Sequence, residues 1–423
     1  MCFMNKKIKK PELLSPAGDL NKLQTALVFG ADAVYFGIPD FSLRVRINDF
    51  GWEEMEAGVR IAHEQNKKAY VTLNILAHNE HLPKITEHVK HLKQLGPDAI
   101  FISDPGVMET VREVWPEVKL SLSTQANCTN WQSAKFWQEQ GLSRIILSRE
   151  LSLAEIAEVV EKVPKAEIEV FVHGALCSAY SGRCFISDYL TERSANQGDC
   201  TQPCRWQYEI KPLGHDKSLI LGEDAHGSYI LNSEDLCLIE KLPEIIASGV
   251  TALKIEGRAK SAYYLANVVG AYRRAIDLIC DGEKNETEVA SELKFLRNEL
   301  ASKLRHRGYS EGFMFRGDKH LQNLDGKNFI PDWEFCAQVE ACEADGQGAY
   351  DVTLKVHNTL LAGDELEVII PPYQITNLQM PEMMMFDGRV LTEAHGGAGA
   401  DSLVKIKMKQ ALPVLSVMRR KVL

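Results

Sequence analysis

Eight short apolar, β-branched runs recur between residues 12 and 257, with stretches of helical length between them, and this alternation restricts the chain to very few folds. The runs are ELLSPA (12–17), DAVYFG (32–37), AYVTLNI (69–75), DAIFIS (98–103), KLSLST (119–124), SRIILS (143–148), EIEVFVHG (167–174) and ALKIEG (252–257). Amphipathic segments such as LPKITEHVKHLKQLG and LAEIAEVVEKV lie among them, and several close on Gly, a residue that stops helices. Strands that are apolar along most of their length are buried on both faces, so the sheet is parallel and covered by helices. Eight such units predict an α/β fold, a closed (β/α)8 TIM-like barrel over residues 11–282, with an open doubly wound sheet as the alternative.

After the helical segment at 262–280 and the polar stretch DGEKNETE the pattern changes. Residues 283–330 read as a helical connector around VASELKFLRNELASKL. Residues 331–423 read as short alternating strands (EFCAQVEAC, AYDVTLKV, DELEVII, SLVKIKM) broken by Gly, Asp, Asn and Pro, which predicts a small antiparallel β domain, β-barrel-like in form. The 423 residues, 45% of them hydrophobic, supply apolar material for a full core, and this excludes a disordered chain. No run of eighteen apolar residues occurs, so no membrane span is expected. The basic opening MCFMNKKIKK is followed by PELLSPAGD rather than by a signal-like apolar stretch, and the expected location is cytoplasmic.

In a barrel of this kind the chemistry gathers at the carboxyl ends of the strands. Collected strand by strand, those ends supply Arg44 and Arg46 after the second strand, Asn74 after the third, Asp104 after the fourth and Gln125 after the fifth. The sixth supplies Arg149, the seventh His173, and the eighth Lys254, Glu256 and Arg258. With Arg183, the arginines form a rim suited to a polyanionic ligand, because guanidinium groups bind carboxylates and phosphates bidentately. The competing reading is that some of them pair with Asp104, Glu150 or Glu256 for structure alone. Asn74, Gln125 and Lys254 join the arginines as candidate substrate-binding residues, and His173, Glu256 and Asp104 are the candidate catalytic groups. The formal charge of −10, from 48 basic and 58 acidic residues, argues against attraction to nucleic acid over the whole surface. Local basic patches remain at 6–10, 305–307, 405–409 and 418–421, each most simply a solvated surface.

Four of the ten cysteines fall on the excursion after the seventh strand, within an insertion at 175–206: Cys177, Cys184, Cys200 and Cys204. In a reducing compartment such a local cluster points to metal binding or redox chemistry rather than to disulfides. Cys200 and Cys204 have the spacing of a zinc pair, whereas the six residues between Cys177 and Cys184 exceed it. An iron-sulfur cluster tolerates broader spacing, so iron-sulfur, zinc and unmetallated thiols all stay open on spacing alone.

The segment EVFVHGALCSAYSGRCFIS (169–187) resembles the signature of the collagenase-like peptidase family, number thirty-two of the peptidases of unknown catalytic type. The likeness continues in PELLSPAGDL (11–20), GADAVYFG (30–37), LSRELS (147–152), NQGDCTQPCRW (196–206), LKIEGRAKSAYY (253–264) and HRGYSEGF (306–313). Within the family the chain most resembles the branch of tRNA hydroxylation proteins. That resemblance implies oxygen-independent, prephenate-dependent formation of 5-hydroxyuridine at the wobble position of tRNA. It also implies an iron-sulfur cluster, of the 4Fe–4S type, on Cys177, Cys184, Cys200 and Cys204. Prephenate would be the oxygen donor, and its two carboxylates would give the arginine rim a ligand. Relatives act on ribosomal RNA or on a quinone precursor, and the short passage between Cys204 and the eighth strand leaves the choice of RNA target open. A protein that loads the cluster or donates electrons is a further expected partner, and the sequence leaves the oligomeric state undetermined.

Two other classes compete. The family's historical label is a peptidase, yet neither HExxH nor GxSxG occurs, and a cysteine committed to a cluster is no nucleophile. A non-enzymatic iron-sulfur scaffold or sensor would need an apolar patch or tail for a partner, and neither stands out in the sequence.

Overall fold

The computed structural model describes residues 9–42, 50–177, 179–206, 209–210, 219–220, 233–316, 329–397 and 402–422. The strands β1 (Glu12–Pro16), β2 (Ala33–Gly37), β3 (Lys68–Leu73), β4 (Ala99–Ile102), β5 (Leu120–Leu122), β6 (Arg144–Ile146) and β7 (Glu167–Ala175) each pair in parallel with the next. A two-stranded ribbon, β8 (Glu209–Ile210) with β9 (Leu219–Ile220), and the short β10 (Asp235–Cys237) follow. β11 (Ala252–Ile255) then pairs in parallel with both β7 and β1, so the eight-stranded barrel is closed and the open-sheet alternative is excluded. All eight strands lie within one or two residues of the apolar runs that predict them.

Helices α1 (Leu20–Val28), α2 (Trp52–Glu64), α3 (Leu82–Leu95), α4 (Pro105–Val114), α5 (Trp131–Glu139) and α6 (Leu153–Lys162) return the chain from each of the first six strands to the next. Their starts are fixed by side-chain caps: Asp19, Asp104, Asn130 and Ser152 each accept a hydrogen bond from a backbone N–H of the first turn. The short α7 (Ile186–Thr191) belongs to the cysteine segment, and α8 (Leu242–Ala247) precedes β11. α9 (Ala262–Asp281), buried along most of its length, closes the helical ring against α1 and β1. α10 (Glu286–Lys303) packs on α9; β12 (Tyr309–Ser310) and α11 (Gly312–Arg316) follow, and β12 joins β10 beside the barrel.

The carboxyl-terminal strands are β13 (Trp333–Ala344), β14 (Tyr350–Val356), β15 (Leu360–Leu361), β16 (Glu365–Ile370), β17 (Gln374–Gln379), β18 (Met383–Met384), β19 (Val390–Leu391), β20 (Glu393–Ala394), β21 (Leu403–Met408) and β22 (Val417–Lys421). Eight of them form one antiparallel sheet in the order β17-β16-β22-β13-β14-β21-β18-β19, and β15 pairs with β20. The region is thus an antiparallel β domain, and among the described residues no pairing joins the two edges of its large sheet. It has its own apolar core, built around Val339, Val352, Leu354, Val368, Val404 and Met418.

Two of the basic patches turn out to be structural. Arg307 is buried against Asp235, 2.6 Å away. Arg419 is fully buried, and Arg420 pairs with Glu334 at 2.6 Å and with Asp364 at 2.7 Å. Lys407 in the 405–409 patch lies 3.2 Å from Asp345, and most of the 6–10 patch lies outside the described residues.

Candidate functional site

The barrel interior carries charge where most barrels stack aliphatic layers. Glu12 on β1 meets Arg144 on β6 at 2.6 Å, Arg144 meets Glu169 on β7 at 3.0 Å, and Glu169 meets Lys254 on β11 at 3.0 Å. Every member of this chain is buried or nearly so. Such a chain survives burial only because each charge is paired and hydrogen-bonded. Burial opposes the charge on Glu12, but Arg144 and Lys68 outweigh it and hold its carboxyl below the usual range. The Lys254 ammonium ends between the rings of Tyr35 and Phe101, 4.1 Å from each centroid. Burial, reinforced by the positive charge of Arg144, lowers its pKa to about 8 despite Glu169.

Above this layer opens a cavity of about 310 Å³, lined by Tyr35, Thr72, Phe101 and Phe171 from the barrel and by the cysteine segment from outside. Asn74, Gln125, Arg149, Arg183, Lys254, Glu256 and Arg258 all line it, and so do Cys177, Cys184, Cys200 and Cys204. Residues named strand by strand from the sequence are thus gathered around one space. Arg149 lies over Phe171, its guanidinium carbon 3.8 Å from the ring centroid, and donates to the Ala175 carbonyl at 2.6 Å. Its Nε is buried with no hydrogen-bond partner, and it makes no ion pair among the described residues. Arg258 donates to the Thr72 hydroxyl at 3.4 Å, the Asn74 amide donates to the Ser123 hydroxyl at 3.1 Å, and the Tyr35 hydroxyl lies 3.3 Å from Glu256. Three arginines and a lysine against Glu150 and Glu256 leave the lining with an excess of positive charge, in a protein that is acidic as a whole.

The cysteine segment is fastened across the barrel mouth at several points. Glu150, at the end of β6, accepts from the Ser181 N–H at 2.9 Å and lies 3.3 Å from its hydroxyl. It therefore anchors this segment, and among the described residues it makes no ion pair with an arginine of the rim. The Asn196 carbonyl accepts from Leu76 N–H at 3.0 Å, the Asn196 side chain donates to the Cys184 carbonyl at 3.1 Å, and Gln197 meets His78 at 2.9 Å. Gly182 sits with φ +75° directly over Gln125, where a Cβ would collide with the Gln125 carbonyl oxygen. Loops after β3, β5 and β6 therefore hold the segment. Cys200 Sγ accepts from the Gln202 N–H at 3.4 Å. Burial first, and then the neighbouring thiols, raise the pKa of Cys184 and Cys200. Cys177, Cys184, Cys200 and Cys204 all line the one cavity, so the segment brings its four thiols to the same side of the barrel mouth.

Two expectations from the sequence need correction. Asp104 is not among the residues that line the cavity: its carboxylate caps α4, accepting from Gly106 N–H at 2.8 Å and Val107 N–H at 3.0 Å, and this gives it a structural role. His173 does not reach the cavity either. In β7 the residues Glu169 and Phe171 face the barrel interior, and strict alternation would aim His173 the same way. Pairing with β11 slips by one residue between Phe171 and His173, a bulge that turns the imidazole outward into the helical layer. There it is buried among Tyr264, Tyr272 and Tyr309, and burial drives its pKa down to about 3. Arg44 and Arg46 lie outside the described residues. Sequence reasoning missed Arg144, Glu169, Tyr35 and Phe171; the one available signal was Glu169, an acidic residue inside an otherwise apolar strand.

A family model, peptidase family U32, matches residues 18–323. The chain is 40% identical over 429 aligned residues to tRNA hydroxylation protein P of Escherichia coli (strain K12), covering 92% of each chain. It is 36% identical to tRNA hydroxylation protein P1 of Bacillus subtilis (strain 168), covering 97% of this chain and 95% of the relative. It is 35% identical to the 23S rRNA 5-hydroxycytidine C2501 synthase of Escherichia coli (strain K12), over 75% of this chain and 47% of that protein.

Proposed function

This chain belongs to peptidase family U32, and from that premise we propose that it is an enzyme that hydroxylates RNA, acting on C5 of the wobble uridine of tRNA in the cytoplasm. The observation that carries the reading is the convergence of four free cysteines with a cation-rich cavity at the barrel mouth. Relatives named for tRNA hydroxylation, similar over nearly the whole length, supply the substrate class.

Cys177, Cys184, Cys200 and Cys204 fit an iron-sulfur cluster of the 4Fe–4S type. Four cysteines lining one cavity match the four iron corners of such a cluster, each of which takes one thiolate. Burial, with a smaller contribution from the neighbouring thiols, holds Cys184 and Cys200 towards the thiol form, and bound iron would offset this because the thiolate is the ligand. Bound there, the cluster supplies one-electron chemistry that no side chain of the cavity offers. The remaining work belongs to the protein. Arg149, over Phe171, and Arg258, beside Thr72, would bind the two carboxylates of prephenate. Lys254, Asn74 and Gln125 supply polar contacts deeper in the cavity. Glu256, beside the Tyr35 hydroxyl, is the carboxylate available to take the proton that leaves C5. Replacing C5–H by C5–OH is a two-electron oxidation of the base, and a donor that gives up its oxygen is reduced by the same two electrons. The exchange therefore balances without dioxygen.

The peptidase reading has no comparable support. Among the described residues no histidine lines the cavity, and the one nearest the segment in sequence, His173, is walled off from it.

The test is mass spectrometry of tRNA nucleosides from cells lacking this gene, complemented with wild type or Cys177→Ala. The expected result is loss of 5-hydroxyuridine and its derivatives, with restoration by the wild type alone. Purified Cys177→Ala is expected to lose iron and sulfide together. Unchanged tRNA would overturn the substrate, and the same analysis of ribosomal RNA and of quinone precursors would then locate the target. Full iron content in the variant would remove Cys177 from the ligand set.

A further inference from the structure

The cysteine segment also carries side chains that the chemistry above does not use. Tyr180, Phe185, Tyr189 and Trp206 are 63%, 72%, 86% and 41% exposed. Water-exposed rings scattered singly over a surface need no explanation, but four within residues 180–206 are a concentration. Tyr180 and Phe185 line the cavity, and Trp206 follows two residues after Cys204, which also lines it. Phe185 precedes the first turn of α7, and Tyr189 lies one turn further on, its N–H donating to the Phe185 carbonyl at 2.9 Å. Residues four apart share a helix face, so these rings continue one behind the other, outward from the cavity mouth. Arg183, exposed between Tyr180 and Phe185, makes no ion pair among the described residues, whereas Arg193 is tied to Asp199 at 2.6 Å.

We propose that this aromatic rim is a stacking platform for the RNA nucleotides that flank the base delivered to the cavity. The inference rests on the RNA reading above and adds to it the surface that receives the strand. A base that enters the cavity must leave its stack, and its neighbours each lose a covered face. Rings standing at the rim replace what is lost, and Arg183 is placed for an adjoining phosphate. Stacking works on any base and needs no long-range attraction, which suits a chain with a formal charge of −10. The rings stand among Ser181, Gly182, Arg183 and Asp188, with Leu190 the one large aliphatic side chain exposed beside them, and this favours planar bases over a protein partner.

The experiment uses the whole protein, purified without oxygen in its iron-loaded form, and an RNA hairpin carrying 2-aminopurine beside a loop uridine. Fluorescence titration gives affinity and reports stacking directly. Phe185→Ala and Tyr189→Ala are each expected to weaken binding about tenfold and to abolish the stacking signal, with iron content unchanged. Phe185→Trp and Tyr189→Phe should bind like the wild type. Should Phe185→Ala lose iron, Tyr189→Ala decides alone, because Tyr189 does not line the cavity. Alanine variants that bind normally, or Tyr189→Leu binding as tightly as Tyr189→Phe, would overturn the stacking proposal and leave the RNA reading intact. A wild-type protein that does not bind the hairpin would overturn both.

Discussion

His173 has two ring nitrogens without a hydrogen-bond partner, enclosed by Tyr264, Tyr272 and Tyr309 at centroid distances of 5.9, 5.4 and 5.4 Å. Burial is the largest cause of its lowered pKa, Asp235 opposes it, and Arg297, Lys260 and His306 add to it. Between about pH 3 and 6.5 the unfolded chain therefore binds a proton at this residue that the folded chain does not. Stability must then fall as the pH drops through that window. At pH 5 the loss amounts to about 2 kcal/mol, 1.5 pH units below the ordinary value at 1.36 kcal/mol per unit. Urea titrations of wild type and His173→Phe at pH 7 and pH 5 check this: the variant should lose about 2 kcal/mol less than the wild type between the two. Equal losses would mean that the imidazole is not held neutral. The same residue shows where a strand pattern misleads. Sequence places His173 at the end of the seventh strand, as the structure does, but one extra residue in β7 reverses the direction of its side chain, and bulges have no marker in a run such as VFVHG. Asp104 misled differently: an Asp before Pro105 and a helical pattern is a cap signature, and it outweighs the fact that Asp104 also follows a strand.

At the scale of elements, the cysteine segment is largely irregular chain held by contacts to three barrel loops. The cysteines and the length of the excursion were legible in the sequence. Its anchors were not, because Glu150, Gln125 and Leu76 meet residues 181, 182 and 196 only once the barrel has closed. Of these anchors Gly182 is the most exacting. At φ +75° any side chain is strained, by roughly 1 kcal/mol for Ala, and here its Cβ would also strike the Gln125 carbonyl. Neither atom belongs to a flexible side chain that can swing away. Gly182→Ala is therefore expected to lift the turn at 180–183 off the loop after β5, and with it Cys177 and Cys184 on either side. Iron and sulfide content after anaerobic purification should fall by half or more, while the melting temperature of the chain shifts only slightly, because the barrel core contains none of these atoms. Full cluster content in Gly182→Ala would show that the segment keeps its ligands in place without this contact.

At the scale of the whole molecule, the carboxyl-terminal sheet and the barrel are joined through a charge that the sequence presents as surface. MRRK at 418–421 reads as a basic patch, yet along β22 alternate residues face opposite sides, and the side chain of Arg419 turns into the junction. It is fully buried, with Glu299 of α10 at 2.5 Å, Glu367 of β16 at 2.7 Å from its Nε, and the Asn267 side-chain oxygen of α9 at 3.0 Å. Pairing with two acidic residues distant in sequence is invisible to composition or periodicity, so a buried arginine was taken for a solvated one. Because α9 closes the barrel, this one guanidinium links the barrel's last helix, the connector helix and the β domain. Arg419→Ala would leave Glu299 without this cation and Glu367 with Lys303, 3.2 Å away, in a largely buried junction, with a cost of roughly 3 kcal/mol. Lys407→Ala, which removes an exposed partner of Asp345, should stay within about 0.5 kcal/mol of wild type. Scanning calorimetry should show a lower melting temperature for Arg419→Ala, with the β domain melting ahead of the barrel. If Arg419→Ala melts in a single transition at the wild-type temperature, the junction is held by its apolar contacts, among them Tyr263 stacked on Phe335 at 5.3 Å and Tyr373 buried in the barrel core, and the ion pairs contribute little.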